Sequence, residues 1–166
     1  KIDGVSILAK LALASGAYGH FNIEHNAGHH RQVATPEDTA SARMGESIDR
    51  FALRELPGGL KRAWRIETQR LTRKGLSWYS TDNQILQSNM MTLALYTGVT
   101  IAFGWMALLI VLIHVPMVWW QLTSANYIEH YGLLRQKNTQ GIYERCEPWH
   151  SWNSNHLISN LVLFHL

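Results

Sequence analysis

Cysteine is almost absent: Cys146 stands alone in 166 residues, so neither a disulfide framework nor a thiolate metal site can be assembled within the chain. Formal charge is missing from a long internal stretch, since Ile85 to Ala125 contains no Asp, Glu, Lys or Arg. Charged residues crowd instead into Arg31 to Asp82 and Arg135 to Glu147, the arrangement of polar loops around a lipid-buried element. A uniform basic stripe is also lacking. The net charge is only +3, and the bases of Lys61 to Lys74 are interrupted by Trp64, Ile66, Glu67 and Leu71, which argues against a nucleic-acid partner. The hydrophobic content of 46% is ordinary for a globular protein, so it is the distribution that points to a membrane.

The pattern predicts an all-α, integral-membrane helical bundle with cytoplasmic amphipathic helices. Residues 5–30 read as an apolar helix that ends in a histidine cluster, with Gly16 and Gly19 allowing a neighbouring helix to approach closely. This helix is short for a full span, which needs about 20 apolar residues. Residues 31–84 read as a cytoplasmic helical segment. Thr35-Pro36-Glu37-Asp38 has the chemistry of a helix start, Leu56-Pro57-Gly58-Gly59 that of a breaker, and the expectation is one helix over Ala40 to Leu56 and a second over Leu60 to Lys74. Residues 87–122, about 36 without a charge, exceed one span and suit a transmembrane hairpin with its break near Phe103-Gly104. Both flanks of the hairpin are basic and its tip is not, so the positive-inside rule puts the flanks in the cytoplasm and the tip in the periplasm. Trp78, Tyr79, Trp119 and Trp120 stand where interfacial aromatics belong. Residues 123–166 then carry a cytoplasmic histidine motif and the start of a last helix. Lys1 opens without a Met and Asn160 to Leu166 runs out apolar and uncapped, so an internal piece of a longer product is expected.

Nine histidines are a surplus, and their spacing is informative. In Glu24-His25-Asn26-Ala27-Gly28-His29-His30 the first two histidines are four apart, on one face of a helix, and can share a metal. His30 is rotated about 100° from His29 on an ideal helix. It would serve a second metal, or the same one if the helix unwinds after Gly28. Glu24 would orient an imidazole N–H or solvate the helix end. Asn126-Tyr127-Ile128-Glu129-His130-Tyr131-Gly132 repeats the Glu-His pair directly after the hairpin, at the same membrane edge. The remaining histidines are less telling. His114 lies inside the apolar span, where it either faces the bundle interior or bonds a backbone carbonyl. His150, His156 and His165 fall near the end, with His156 the better candidate to support a ligand, and His20 precedes the cluster and is a further candidate of that kind.

Glu24 to His30, Thr35 to Asp38, Asn126 to Leu134 and Trp152-Asn153-Ser154-Asn155-His156 resemble the integral-membrane alkane 1-monooxygenases over essentially the whole chain. In that family a His-Glu-x-x-His-Lys box precedes a Glu-His-x-x-Gly-His-His box, an Asn-Tyr-x-Glu-His-Tyr-Gly box follows, and Gln-Arg-His-Ser-Asp-His-His closes the site. Only the middle two are present here. The resemblance implies a bundle of about six membrane helices in a bacterial inner membrane, multi-pass, with the metal site facing the cytoplasm. It implies two non-haem iron ions, with His25, His29, His30 and His130 as ligands and Glu24, Glu129, His20, His156 and Asn126 around them. It further implies O2 and n-alkanes as substrates, rubredoxin reduced by rubredoxin reductase as electron donor, and terminal hydroxylation to primary alcohols. The piece on its own is expected to be inactive, since half the ligand set is absent.

The nearest rival is a related membrane di-iron enzyme, a xylene-type hydroxylase or a fatty-acyl desaturase, which shares dispersed histidine boxes; the Asn126 to Gly132 element favours the alkane branch. A rival of another class is a membrane electron carrier holding haem between paired histidines, with His114 as one ligand.

Overall fold

A computed structural model describes residues 4–152, with side chains from residue 8. Among them helix is the regular element, beside an isolated antiparallel bridge between Lys137 and Tyr143. Helix α1 (Gly4–Ser15) leads through a turn to a helical run in three pieces: α2 (Phe21–Ile23), a π-helical turn (Glu24–His29) and α3 (His30–Gln32). An irregular loop then reaches α4 (Ile48–Arg73), followed by α5 (Gln84–Phe103) and α6 (Trp105–His130); a 3-10 turn at Pro148–His150 closes the described chain.

Helices α5 and α6 meet at Gly104, whose φ of 78° lies in the left-handed region that a Cβ disfavours. Thr92 and Tyr96 of α5 donate to the Ala14 and Ser15 carbonyls, and Trp119 of α6 donates to the Gly16 carbonyl at 2.8 Å. Both helices therefore touch the end of α1, which requires them to run back alongside each other. Gly16 and Gly19 are what let them approach: a Cβ on Gly16 would stand 2.7 Å from Val118 Cγ1, and one on Gly19 2.2 Å from Ser88 Cβ. The 26 residues of α6 extend about 39 Å at 1.5 Å per residue, more than the roughly 30 Å of a hydrocarbon core. It is apolar enough to cross a membrane. The outer faces of the pair expose Ile101, Phe103, Trp105 and Ile110 at 67–81%, a surface suited to lipid.

Three expectations are corrected. The predicted helix over residues 5–30 is interrupted at residues 16–20, where Ala17 takes a φ of 51°. Thr35-Pro36-Glu37-Asp38 begins no helix; the chain stays irregular until Ser47, because Thr35 Oγ1 donates backward to the Gln32 carbonyl and Asp38 spends its carboxylate on other partners. Leu56-Pro57-Gly58-Gly59 breaks nothing, and the two expected helices are the single α4. Pro57 removes one helical hydrogen bond, to the carbonyl of Leu53, a residue on the exposed side at 78%. Gly58 instead makes room for Thr39, whose Cγ2 would lie 2.8 Å from a Cβ there. Tertiary packing thus overrides a local breaker. Ile23, Ala63 and Ile85 form the buried knot joining the histidine-bearing run to α4 and α5, and each large aliphatic side chain buried in this way stabilises by about 1.5–3 kcal/mol.

Candidate metal centre

The Glu24–His29 turn decides where the first three imidazoles stand. On an α-helix His30 would lie about 140° around from His25. The wider turn bonds i to i+5 and brings both His29 and His30 back over His25. Ring centroids are 5.2 Å apart for His25 and His29, 4.4 Å for His25 and His30, and 5.8 Å for His29 and His30. His130, the last residue of α6, places its ring 4.8 Å from that of His29. The four histidines singled out in the sequence therefore form one cluster.

Several contacts bring the end of α6 to this place. The backbone N–H of Gly132 donates to Ala42 O at 2.9 Å, that of Arg135 to Ala34 O at 2.7 Å, and Tyr127 Oη to Glu46 O at 2.7 Å. Ala34, with φ 54°, is fully buried and donates its N–H to Ser41 Oγ. Near the same end of α6, Thr123 and Asn126 both donate to the Glu55 carboxylate of α4, at 2.6 and 2.8 Å. All three side chains are buried.

The imidazoles differ in their partners. His29 Nδ1 lies 2.8 Å from Asp38 Oδ2. His130 Nδ1 lies 3.1 Å from the His150 carbonyl, which can only accept, so Nδ1 carries the proton and Nε2 is left free to coordinate. Glu129 Oε2 stands 3.8 Å from that Nε2. His25 stacks on Phe21, and its Nδ1 is buried with no hydrogen-bond partner. Burial, then the neighbouring His29, His30 and His130, push the His25 pKa down to about 4. Burial and His29 lower that of the more exposed His30. Both rings are thus held in the neutral form that a metal requires.

Behind the cluster lies a buried network that the sequence did not announce. Arg62 of α4 donates to Glu24 and, at 2.7 Å, to Asp38. Asp38 also receives Ser41 Oγ at 2.6 Å and the Ala40 N–H at 3.2 Å. Burial alone would raise Asp38, but the bonds from His29, Ser41 and Arg62 outweigh it and hold the carboxyl at about 2. For Glu24 burial wins over Arg62 and its pKa is raised. Burial likewise raises Glu55, with Thr123 and Asn126 opposing. Glu55, Gly59 and Arg62 share the buried stripe of α4; read as one unbroken helix, the sequence puts them at i, i+4 and i+7, and that was the missed signal.

The other candidates divide. Glu24 is paired with Arg62 and Asn126 with Glu55, each one step away from the rings. His20 heads the helical run beside Tyr18, with burial lowering its pKa to about 4. His114 is exposed on α6. His156 and His165 lie outside the described residues. An all-imidazole donor set and an orphaned buried nitrogen on His25 fit a first-row metal such as iron. Among the described residues no three ligating side chains yet converge on a single ion position.

Apolar helices that bring two Glu-His elements together at one end define a histidine-rich membrane protein built around a candidate metal centre. The chain belongs to the fatty acid desaturase family, whose model matches residues 5–166. It is similar to alkane 1-monooxygenase 1 of Alcanivorax borkumensis, 59% identical over 96% of this chain and 39% of that protein. It is equally similar to the alkane 1-monooxygenase of Ectopseudomonas oleovorans, 59% identical over 96% of this chain and 40% of the relative. A more distant likeness, 32% identical over 82% of this chain and 36% of the relative, is to the xylene/toluene monooxygenase hydroxylase component of Pseudomonas putida. The chain thus spans about two fifths of the length of these curated relatives.

Proposed function

We propose that these residues are part of a membrane alkane 1-monooxygenase in which His25, His29, His30 and His130 hold two non-haem irons, the rest of the shell coming from beyond the described residues. The observation that carries this reading is the proximity of the His25, His29 and His30 rings, gathered in and just after the π turn, to the His130 ring at the far end of α6. The likeness to alkane 1-monooxygenases supplies the substrate. The overall reaction balances as R–CH3 + O2 + 2 electrons + 2 protons giving R–CH2OH + H2O. Rubredoxin, reduced by rubredoxin reductase, delivers the electrons from the cytoplasmic face, and the protein sits as a multi-pass element of a bacterial inner membrane.

Iron, when bound, would supply the activation of O2. The chain's own residues do the rest. The neutral rings of His25 and His30 present nitrogen lone pairs without first losing a proton, and the His150 carbonyl fixes the His130 ring so that Nε2 is the coordinating atom. The lipid-facing α5 and α6 leave the alkane in an apolar medium up to the cluster and keep bulk water from it.

Purified full-length protein should contain stoichiometric non-haem iron and convert octane to 1-octanol with rubredoxin, its reductase and O2. Variants His25→Ala and His130→Ala should lose both iron and turnover. A Soret band with no non-haem iron would overturn the reading in favour of a haem carrier. The family match favours one second reading, fatty-acyl desaturation; a double bond introduced into a long-chain acyl thioester, with octane untouched, would select it.

A further inference from the structure

His29 differs from the other imidazoles of the cluster in having a fully buried carboxylate behind it. Asp38 is 2% exposed and His29 3%. The carboxylate is gripped from three further sides, by Arg62 Nη2 at 2.7 Å, Ser41 Oγ at 2.6 Å and the Ala40 N–H at 3.2 Å. Arg62 and the Ala40 N–H can only donate, and the Ser41 hydroxyl donates at this contact. So heavily donated an oxygen pair stays ionised, and an ionised carboxylate can only accept. The proton in the His29–Asp38 contact therefore belongs to Nδ1, and Nε2 is the remaining nitrogen. Because Oδ2 is shared by His29 and Ser41 while Oδ1 takes Arg62 and the Ala40 N–H, the carboxylate cannot turn without losing several bonds at once.

We propose that Asp38 is a positioning residue, locked by Arg62 and Ser41, that holds His29 in the Nδ1–H tautomer and orients its Nε2 toward the His25, His30 and His130 rings. The part of this inference that concerns metal affinity rests on the iron reading above; the tautomer does not. His25 has no partner at Nδ1, and His130 Nδ1 meets the His150 carbonyl and, at 3.4 Å, the Ser151 hydroxyl, so of these three imidazoles His29 is the one backed by a carboxylate at Nδ1. Partners of this kind typically change metal affinity by about 10–100-fold when removed.

The test uses full-length protein with 15N-labelled histidine, the His29 signals being assigned by their loss in His29→Ala. In the chelator-treated wild type the expected result is a proton on Nδ1 and none on Nε2; in Asp38→Asn a mixture of tautomers is expected. After iron loading, competition with a chelator should show a dissociation constant about 10–100-fold weaker in Asp38→Asn, with Ser41→Ala in between. A wild-type His29 protonated at Nε2 overturns the proposal, and so does a folded Asp38→Asn whose tautomer and iron affinity match the wild type. If Asp38→Asn does not fold, the wild-type tautomer and the Ser41→Ala affinity decide. Failure of the wild type to bind iron would sink the metal reading, while the tautomer would still judge Asp38.

Discussion

Arg62→Met keeps most of the volume of the side chain and removes its charge, leaving two buried carboxylates to find other partners. They are unequally placed. Asp38 retains His29, Ser41 and the Ala40 N–H, whereas Glu24, 4% exposed, loses its ion pair. Breaking a buried pair from one side costs about 3–5 kcal/mol, which at about 1.4 kcal/mol per factor of ten lowers the folded-to-unfolded ratio by roughly 100- to 4,000-fold. The loss depends on pH with a definite sign. Burial already raises the Glu24 pKa against the pull of Arg62, so without Arg62 it rises further. A carboxylate whose folded pKa lies above its unfolded value favours the folded state at low pH, and that stability is lost as pH rises. The Arg62→Met deficit should therefore be smaller at pH 5.5 than at pH 8. Glu24→Gln should remove much of that difference. Unfolding of the full-length protein in detergent, followed by circular dichroism for both single variants and the double variant, measures all of this. A deficit under about 1 kcal/mol, or one that is the same at both pH values, would refute the account of Arg62 as the counter-charge of a buried carboxylate pair.

Gly19→Ala would place a Cβ 2.2 Å from Ser88 Cβ, so a drop of about 1–3 kcal/mol in stability is expected, with partial recovery in Gly19→Ala/Ser88→Gly; both are read from melting temperatures. Glu55→Ala strands the Thr123 hydroxyl and the Asn126 amide, costing about 1–3 kcal/mol for each. Glu55→Gln should be far milder, since a rotated Thr123 hydroxyl can accept from the new amide, and denaturant midpoints would separate the two. Because burial holds His25 near 4, below its ordinary 6.5, the unfolded chain takes up that proton first on acidification. Stability from this group is complete above pH 6.5 and declines between pH 6.5 and 4, so melting temperatures across that window should fall less steeply in His25→Gln.

The hairpin was legible because an uncharged stretch of that length has few other uses and Gly104 supplies the one backbone conformation that turns it. The pairing of His25 with His29 was legible from their spacing alone. The rest was hidden by context. Pro57 and Gly58 carry strong local preferences, yet an exposed carbonyl at Leu53 and the side chain of Thr39 make them tolerable and useful inside α4. Splitting that helix in two hid the common stripe of Glu55 and Arg62. The local pattern around Pro36 gives Asp38 the position of a helix-start acid, whereas its actual partners come from positions 29, 41 and 62. No local rule predicted the π turn, which becomes visible only through the rings it gathers.

That turn makes the cluster depend on chain length as well as on residue identity. An α-helix tolerates many exchanges that keep the count of residues, but a turn closed from i to i+5 holds one residue more than its α-helical counterpart. Deleting Ala27, which ligates nothing, would restore α-helical phasing while sparing every histidine. His25 and His29 would become three apart and His25 and His30 four apart, so the i, i+4 spacing now held by His25 and His29 would pass to His25 and His30. A one-residue deletion thus resets the spacing of three imidazoles without touching any of them.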